Sequence, residues 1–167
     1  MKNNKNNTHT ISMLVANQPG VLVRCAQVFA RRGFNIDALV VSPSVNPKFS
    51  RMTITAQGNP EDLDQIIKQT AKLVDVVHCC EHSDLDALDR ELALFKVKVT
   101  PATKAVISKQ AKKYSAKVLD ESEGRIILQI AGSSQALDEF ETVLKKYGII
   151  EMVRSGKLVM AIGREET

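Results

Sequence analysis

Apolar and polar positions along this chain predict short strands alternating with amphipathic helices. Thr10 to Val15 is a half-alternating apolar run, and Asn17, Pro19 and Gly20 then break it, so a strand followed by a loop is expected. From Val21, apolar residues recur at helical spacing at Val21, Leu22, Cys25, Val28 and Phe29 until Gly33. Arg31 and Arg32 sit where cations suit a helix C-terminus. Asn35 to Ser42 reads as a second strand and Arg51 to Gln57 as a third, with Met52, Ile54 and Ala56 toward the core. Asn59-Pro60-Glu61-Asp62 supplies a cap, a proline at the first helical position and two acids, ahead of Leu63, Ile66, Ile67 and Thr70 on one face. Val74 to Glu81 closes the series as a strand.

The order is βαββαβ, and it recurs at an offset of about 82 residues. Strands are expected at Leu92–Val99, Ala116–Glu121, Arg125–Ala131 and Ile149–Val153, with helices over Ala102–Tyr114 and through Leu137, Phe140 and Leu144. The fold class is therefore α+β, with two tandem ferredoxin-like βαββαβ domains. The expected division is a polar, disordered tail over 1–8, a first domain over 9–82, a solvated acidic linker over 83–90 and a second domain over 91–167.

Composition narrows the function. Hydrophobic residues make up 44% and charged residues 25%, which fits a folded chain with a core. The longest apolar runs fall far short of the roughly 20 residues that cross a bilayer. The N-terminal Asn/Lys/Thr tract has no apolar signal region, so the expected location is the cytoplasm. Aromatic residues are 4%, and Arg51–Gln57 contains none, which leaves no stacking platform for nucleic acid despite the formal charge of +4. The cysteines, Cys25 and the adjacent Cys79 and Cys80, fit neither a disulfide framework nor a zinc spacing, so free thiols and no metal are expected. No arginine lies between His9 and Val23, so the first loop lacks the phosphate clamp of an acylphosphatase-like hydrolase. No catalytic constellation is visible in the sequence.

In such a unit the loop before the first helix places unpaired main-chain N–H groups at the helix N-terminus, a natural carboxylate site. Here it is Asn17-Gln18-Pro19-Gly20; Gly20 permits close backbone approach and Asn17 offers a donor and an acceptor to a zwitterion. From the pattern alone, a tight turn with a helix cap accounts for the same residues.

Asn17-Gln18-Pro19-Gly20-Val21-Leu22 followed by Phe29-Ala30-Arg31-Arg32-Gly33-Phe34-Asn35-Ile36 resembles the ACT-domain signature of acetolactate synthase regulatory subunits. Phe49-Ser50-Arg51-Met52-Thr53, Lys72-Leu73-Val74-Asp75-Val76, Asp89-Arg90-Glu91-Leu92 and Val153-Arg154-Ser155-Gly156 continue the resemblance in order. The resemblance implies an N-terminal ACT domain, a C-terminal ACT-like domain and a homodimer that holds valine at the ACT interface. It places the effector on Asn17, Gly20, Val21 and Leu22 of one chain and on Asn35 and Ile36 of its partner; Ile36 also fits a core position. It further implies a chain without catalytic residues or cofactor, acting on a large catalytic subunit that carries thiamine diphosphate, magnesium and flavin. That subunit makes acetolactate in branched-chain amino-acid biosynthesis, and this chain activates it and confers feedback inhibition. A standalone ACT-domain amino-acid-binding protein is the alternative. The chain departs from the family at Lys112-Lys113-Tyr114-Ser115-Ala116, where an Arg-Gly pair is common, and Val99-Thr100-Pro101-Ala102 lacks the Asn-x-x-Gly arrangement, so no second amino-acid site is expected.

Overall fold

The structure is a computed structural model that describes residues 8–83 and 86–163. It divides into two compact units, Arg90–Ser155 and the described part of Met1–Asp89 with Gly156–Thr167. The first unit contains β1 (Thr8–Ala16), α1 (Val21–Arg31), β2 (Ile36–Pro43), β3 (Phe49–Gln57), α2 (Pro60–Thr70) and β4 (Val76–His82). Its antiparallel sheet runs β2-β3-β1-β4, which leaves β2 and β4 at the edges. The second repeats the order with β5 (Ala87–Lys98), α3 (Pro101–Lys113), β6 (Lys117–Ser122), β7 (Arg125–Gly132), α4 (Ser134–Lys145) and β8 (Ile149–Arg154), in a sheet ordered β6-β7-β5-β8.

Alternation puts one face of each sheet against its two helices. In the first unit Ile11, Met13, Met52, Ile54 and Ala56 meet Cys25, Phe29, Leu63 and Ile66, all 1% exposed or less. Phe95, Ile126 and Leu128 meet Ile107, Phe140 and Leu144 in the second, where the Phe95 and Phe140 rings stand edge to face at 5.6 Å. Each Ile, Leu, Met or Phe among them contributes roughly 1.5–3 kcal/mol through burial. Asn59 caps α2 as expected, its side chain accepting from Asp62 N–H at 2.8 Å, with Pro60 at the first helical position.

Two boundaries differ from the sequence reading. The linker placed over 83–90 is in its second half strand: Asp84 and Leu85 lie outside the described residues, but β5 begins at Ala87, which is buried. Of the tail placed over 1–8, only Thr8 is described, and it opens β1. The other difference is at the C-terminus. A further strand, β9 (Leu158–Ala161), pairs with β5, and Ile162 N–H donates to Asp86 O at 2.8 Å. The described residues from Gly156 onward thus group with the first unit rather than with a domain over 91–167. Gly156 lies so close to β2 that a β-carbon on it would stand 3.0 Å from Val40 and 3.2 Å from Ala38.

Glu91 and Arg154, from two of the sequence segments quoted above, meet in the second unit. Arg154 Nη2 and Nε donate to Glu91 Oε2 at 2.6 and 2.9 Å, while Nη1 donates to Asp138 at 2.6 Å. The Glu91 side chain is only 6% exposed, and Ser134 Oγ donates to its other oxygen. Removing Arg154 strands a buried carboxylate. Arg154→Met is therefore expected to lower unfolding free energy by about 3–5 kcal/mol, and Glu91→Leu combined with Arg154→Met to recover most of the loss. Urea unfolding of both variants checks this; equal losses would show that the pair is not coupled.

Both α1 and α3 end with the residue after the C-cap in the left-handed region, Gly33 at φ 71° and Ser115 at φ 56°. In each the following N–H reaches back five residues, Phe34 to Phe29 O at 3.0 Å and Ala116 to Ala111 O at 2.8 Å. A β-carbon is disfavoured in that conformation, so Ser115→Gly is expected to stabilise the chain by about 1 kcal/mol, raising Tm by about 2–4 °C. A calorimetric scan that finds no increase would contradict this.

Candidate functional site

The junction of β1 with α1 is held by its surroundings. Ala16 N–H donates to Asp75 O at 2.7 Å, Asn17 N–H to Lys48 O at 2.8 Å, and Asn17 Nδ2 to Pro47 O at 3.0 Å. These bonds fix the chain before the turn and employ the amide donor of Asn17, leaving its side-chain oxygen for a ligand. Gly20 is the N-cap of α1, at φ 86°, ψ −11°, and no side chain caps the helix. The first turn also contains no acid.

The other helices are built differently. Asn59 caps α2, Ser133 caps α4, and Thr100 with Thr103 forms a reciprocal capping box on α3. In the second unit, therefore, side chains already satisfy amides of the first helical turn at the place that corresponds to Gly20. The α1 N-terminus instead presents its amides and the positive end of its dipole without a side-chain acceptor.

Sequence-assigned residues fall in two groups. Gly20, Val21 and Leu22 start α1 with Asn17 ahead of them; Leu22 is 41% exposed, whereas the Val21 side chain is in the core at 3% and presents only its backbone at the turn, where its N–H donates to Gln18 O at 3.4 Å. Asn35 precedes β2 and donates through Nδ2 to Asp37 at 3.0 Å; Ile36 begins β2 and packs against the core. Within one chain, then, Asn35 has a local partner and Ile36 is half-buried.

A cation that sequence reasoning did not place borders Gly20. Arg24 is bound to Asp75 through Nε and Nη2, each 2.7 Å from Oδ2, and its Nη1 would lie 3.0 Å from a β-carbon on Gly20. The only signal for it was helical spacing, because Arg24 and Asp75 are far apart in the chain.

Another grouping was invisible in sequence. Ser12 Oγ and His82 Nε2 are hydrogen-bonded at 2.6 Å, Cys80 Sγ stands 3.4 Å from both, and His82 Nδ1 faces Asp86 at 3.6 Å. The order nucleophile, imidazole, carboxylate is that of a hydrolase, but Ser12 is 2% exposed, so a substrate carbonyl has no approach to its oxygen. We read it as a strut joining β1, β4 and the residues that follow. The Ser83 hydroxyl, and after it His82, hold the Asp86 carboxyl below its usual range.

Burial, then the Asp75 carboxylate, pushes the Cys25 thiol up, with Arg24 opposing; burial pushes Cys79 up to about 12. Both behave as small protonated hydrophobes. Among the described residues no group of three or more His, Cys, Asp or Glu is arranged to hold a metal, and no helix is long and apolar enough to cross a membrane.

Two βαββαβ units in tandem, the first with an uncapped helix after an Asn-x-x-Gly turn, define an ACT-type protein of the ferredoxin-like class. Residues 11–78 match the family described as AHAS small subunit-like ACT domain, and residues 90–164 the family described as small subunit of acetolactate synthase. The chain is 35% identical to a probable acetolactate synthase small subunit of Archaeoglobus fulgidus, over 95% of this chain and 99% of that one. It is 38% identical to the acetolactate synthase small subunit of Mycolicibacterium smegmatis, over 93% and 92%. The crystal structure of the Thermotoga maritima acetolactate synthase small subunit superposes with a TM-score of 0.83 at 34% identity, covering 95% of this chain and 99% of that chain. The chain belongs to the acetolactate synthase small-subunit family.

Proposed function

We propose that this chain is the non-catalytic regulatory subunit of an acetolactate synthase, binding valine as a homodimer and making a separate large subunit both more active and valine-sensitive. The observation that carries the reading is the α1 N-terminus, which alone among the four described helices starts without a side-chain cap. An amino-acid carboxylate fits there against the main-chain N–H groups, with Gly20 offering no side chain in the way. The Asn17 side-chain oxygen takes the ammonium group. Leu22, and Ile36 of a second protomer, cover a small branched side chain, while Asn35 reaches across from that protomer after exchanging its bond to Asp37. A two-fold partner also answers the open edges at β2 and β4.

Carbon–carbon bond formation between two pyruvates, or between pyruvate and 2-oxobutyrate, belongs in this proposal to the large subunit with its thiamine diphosphate, magnesium and flavin. The contribution of this chain is a coupling free energy between its effector site and that active site, of about 1–3 kcal/mol.

Gly20→Asp and Gly20→Asn together test the site. Both place a β-carbon at φ 86° beside Arg24, and both are among the side chains that tolerate this region best, so each is expected to cost about 1 kcal/mol, or about 2–4 °C in Tm. Only aspartate brings a carboxylate to the amides and to Arg24. By calorimetry Gly20→Asp is expected to show no valine binding and Gly20→Asn to bind it about tenfold or more weaker, since an asparagine oxygen also caps the amides but without the charge. The complex of Gly20→Asp with the large subunit is expected to be active and valine-resistant; normal valine inhibition in it would place the effector elsewhere.

A further inference from the structure

The second unit turns its least buried helix and its least buried strand to the same side. α3 buries only Ile107 and Ala111, whereas α4, of similar length, buries Leu137, Phe140 and Leu144. All six residues of β6 are exposed, Val118 at 49% and Leu119 at 52%, and β6 is an edge strand. Lys104, Ser108 and Lys112 lie one turn apart on α3, and the ion pair of Lys104 with Glu121 sets that stripe beside β6. Lys109, three residues before Lys112, continues the positive face, and Lys117 opens the strand. Between Lys98 and Asp120 the chain has no acidic residue. Among the described residues, no ion pair joins Lys109, Lys112 or Lys117 to a carboxylate.

We propose that this α3–β6 face is a docking surface for a protein surface in which carboxylates surround an apolar centre, and that the catalytic subunit carries it; this rests on the regulatory reading above. Val118 and Leu119 form the apolar middle, Lys109, Lys112 and Lys117 form a positive border, and Asp120 and Glu121, the latter paired with Lys104, lie at the far end of β6. A second copy of this chain is the wrong occupant. Pairing of α3 with its copy about a two-fold would bring lysines together, because α3 contains four lysines and no acidic residue. Those features repel copies of the chain and admit an acidic partner, whose charge also speeds encounter. Nucleic acid fits less well, because the face offers exposed aliphatic side chains in place of aromatic rings for stacking.

The test measures association of the full chain with its cognate catalytic subunit at low and high salt. Lys109→Glu, Lys112→Glu and Lys117→Glu combined are expected to weaken association about tenfold or more at low salt and to remove most of its salt dependence. Val118→Ser with Leu119→Ser is expected to weaken it at both salt concentrations. In both variants Tm and valine binding remain near wild type, since none of these side chains is in the core or the effector loop. Wild-type association and salt dependence in the triple variant overturn the docking surface alone. Failure of the unmodified chain to associate overturns the regulatory reading and the docking surface with it. Retention of a fluorescent oligouridine that depends on these lysines, with subunit association unchanged, overturns the proposal in favour of nucleic acid.

Discussion

A helix N-terminus carries several backbone donors that the helix itself cannot satisfy, and the first unit depends on how Gly20 leaves them. At φ 86° this residue turns the chain from β1 into α1 without a side chain that could cap the helix. The bonds around it hold the turn: Asn17 donates to Lys48 and Pro47, Ala16 to Asp75, and Val21 N–H, the first of α1, to Gln18 O at 3.4 Å. Asp75 in turn fixes Arg24 alongside. A positive, preorganised corner results, costing one unfavourable backbone conformation that glycine alone adopts readily.

Comparing the two units sharpens the point. They share connectivity and sheet order, yet the junction before α3 is closed by Thr100 and Thr103. The second unit instead places its charge in the Glu91–Arg154–Asp138 network and on the outer face of α3. In our proposal one ferredoxin-like frame thus serves as an effector holder in one copy and as a contact surface in the other, which is how a single fold takes on separate functions.

Much of this was legible in the sequence where local chemistry is decisive. Asn59-Pro60 before an amphipathic run announces a capped helix, which is found, and the gap between the strands expected at Ala116–Glu121 and Arg125–Ala131 is a tight turn with Glu123 and Gly124 at φ 49° and 70°. The start of β5 was hidden because Glu91 occupies a buried slot of the alternation, and the arginine that makes this tolerable comes 63 residues later. β9, at four residues, is short, and the strand it pairs with, β5, lies far back in the chain. At the site the turn and Gly20 were readable, while Arg24 at the same corner depends on Asp75, 51 residues away. Ser12, Cys80 and His82 meet only through the register of β1 with β4, which no local pattern encodes.

The central claim concerns coupling between this chain and a separate catalytic subunit. Its most direct measurement is the rate of acetolactate formation from pyruvate by the cognate large subunit, with and without this chain, each in the presence and absence of valine. The account predicts no product from this chain alone, a higher rate when the two are mixed, and inhibition by valine that requires this chain. An unchanged rate on mixing, or equal valine inhibition of the large subunit by itself, would contradict it.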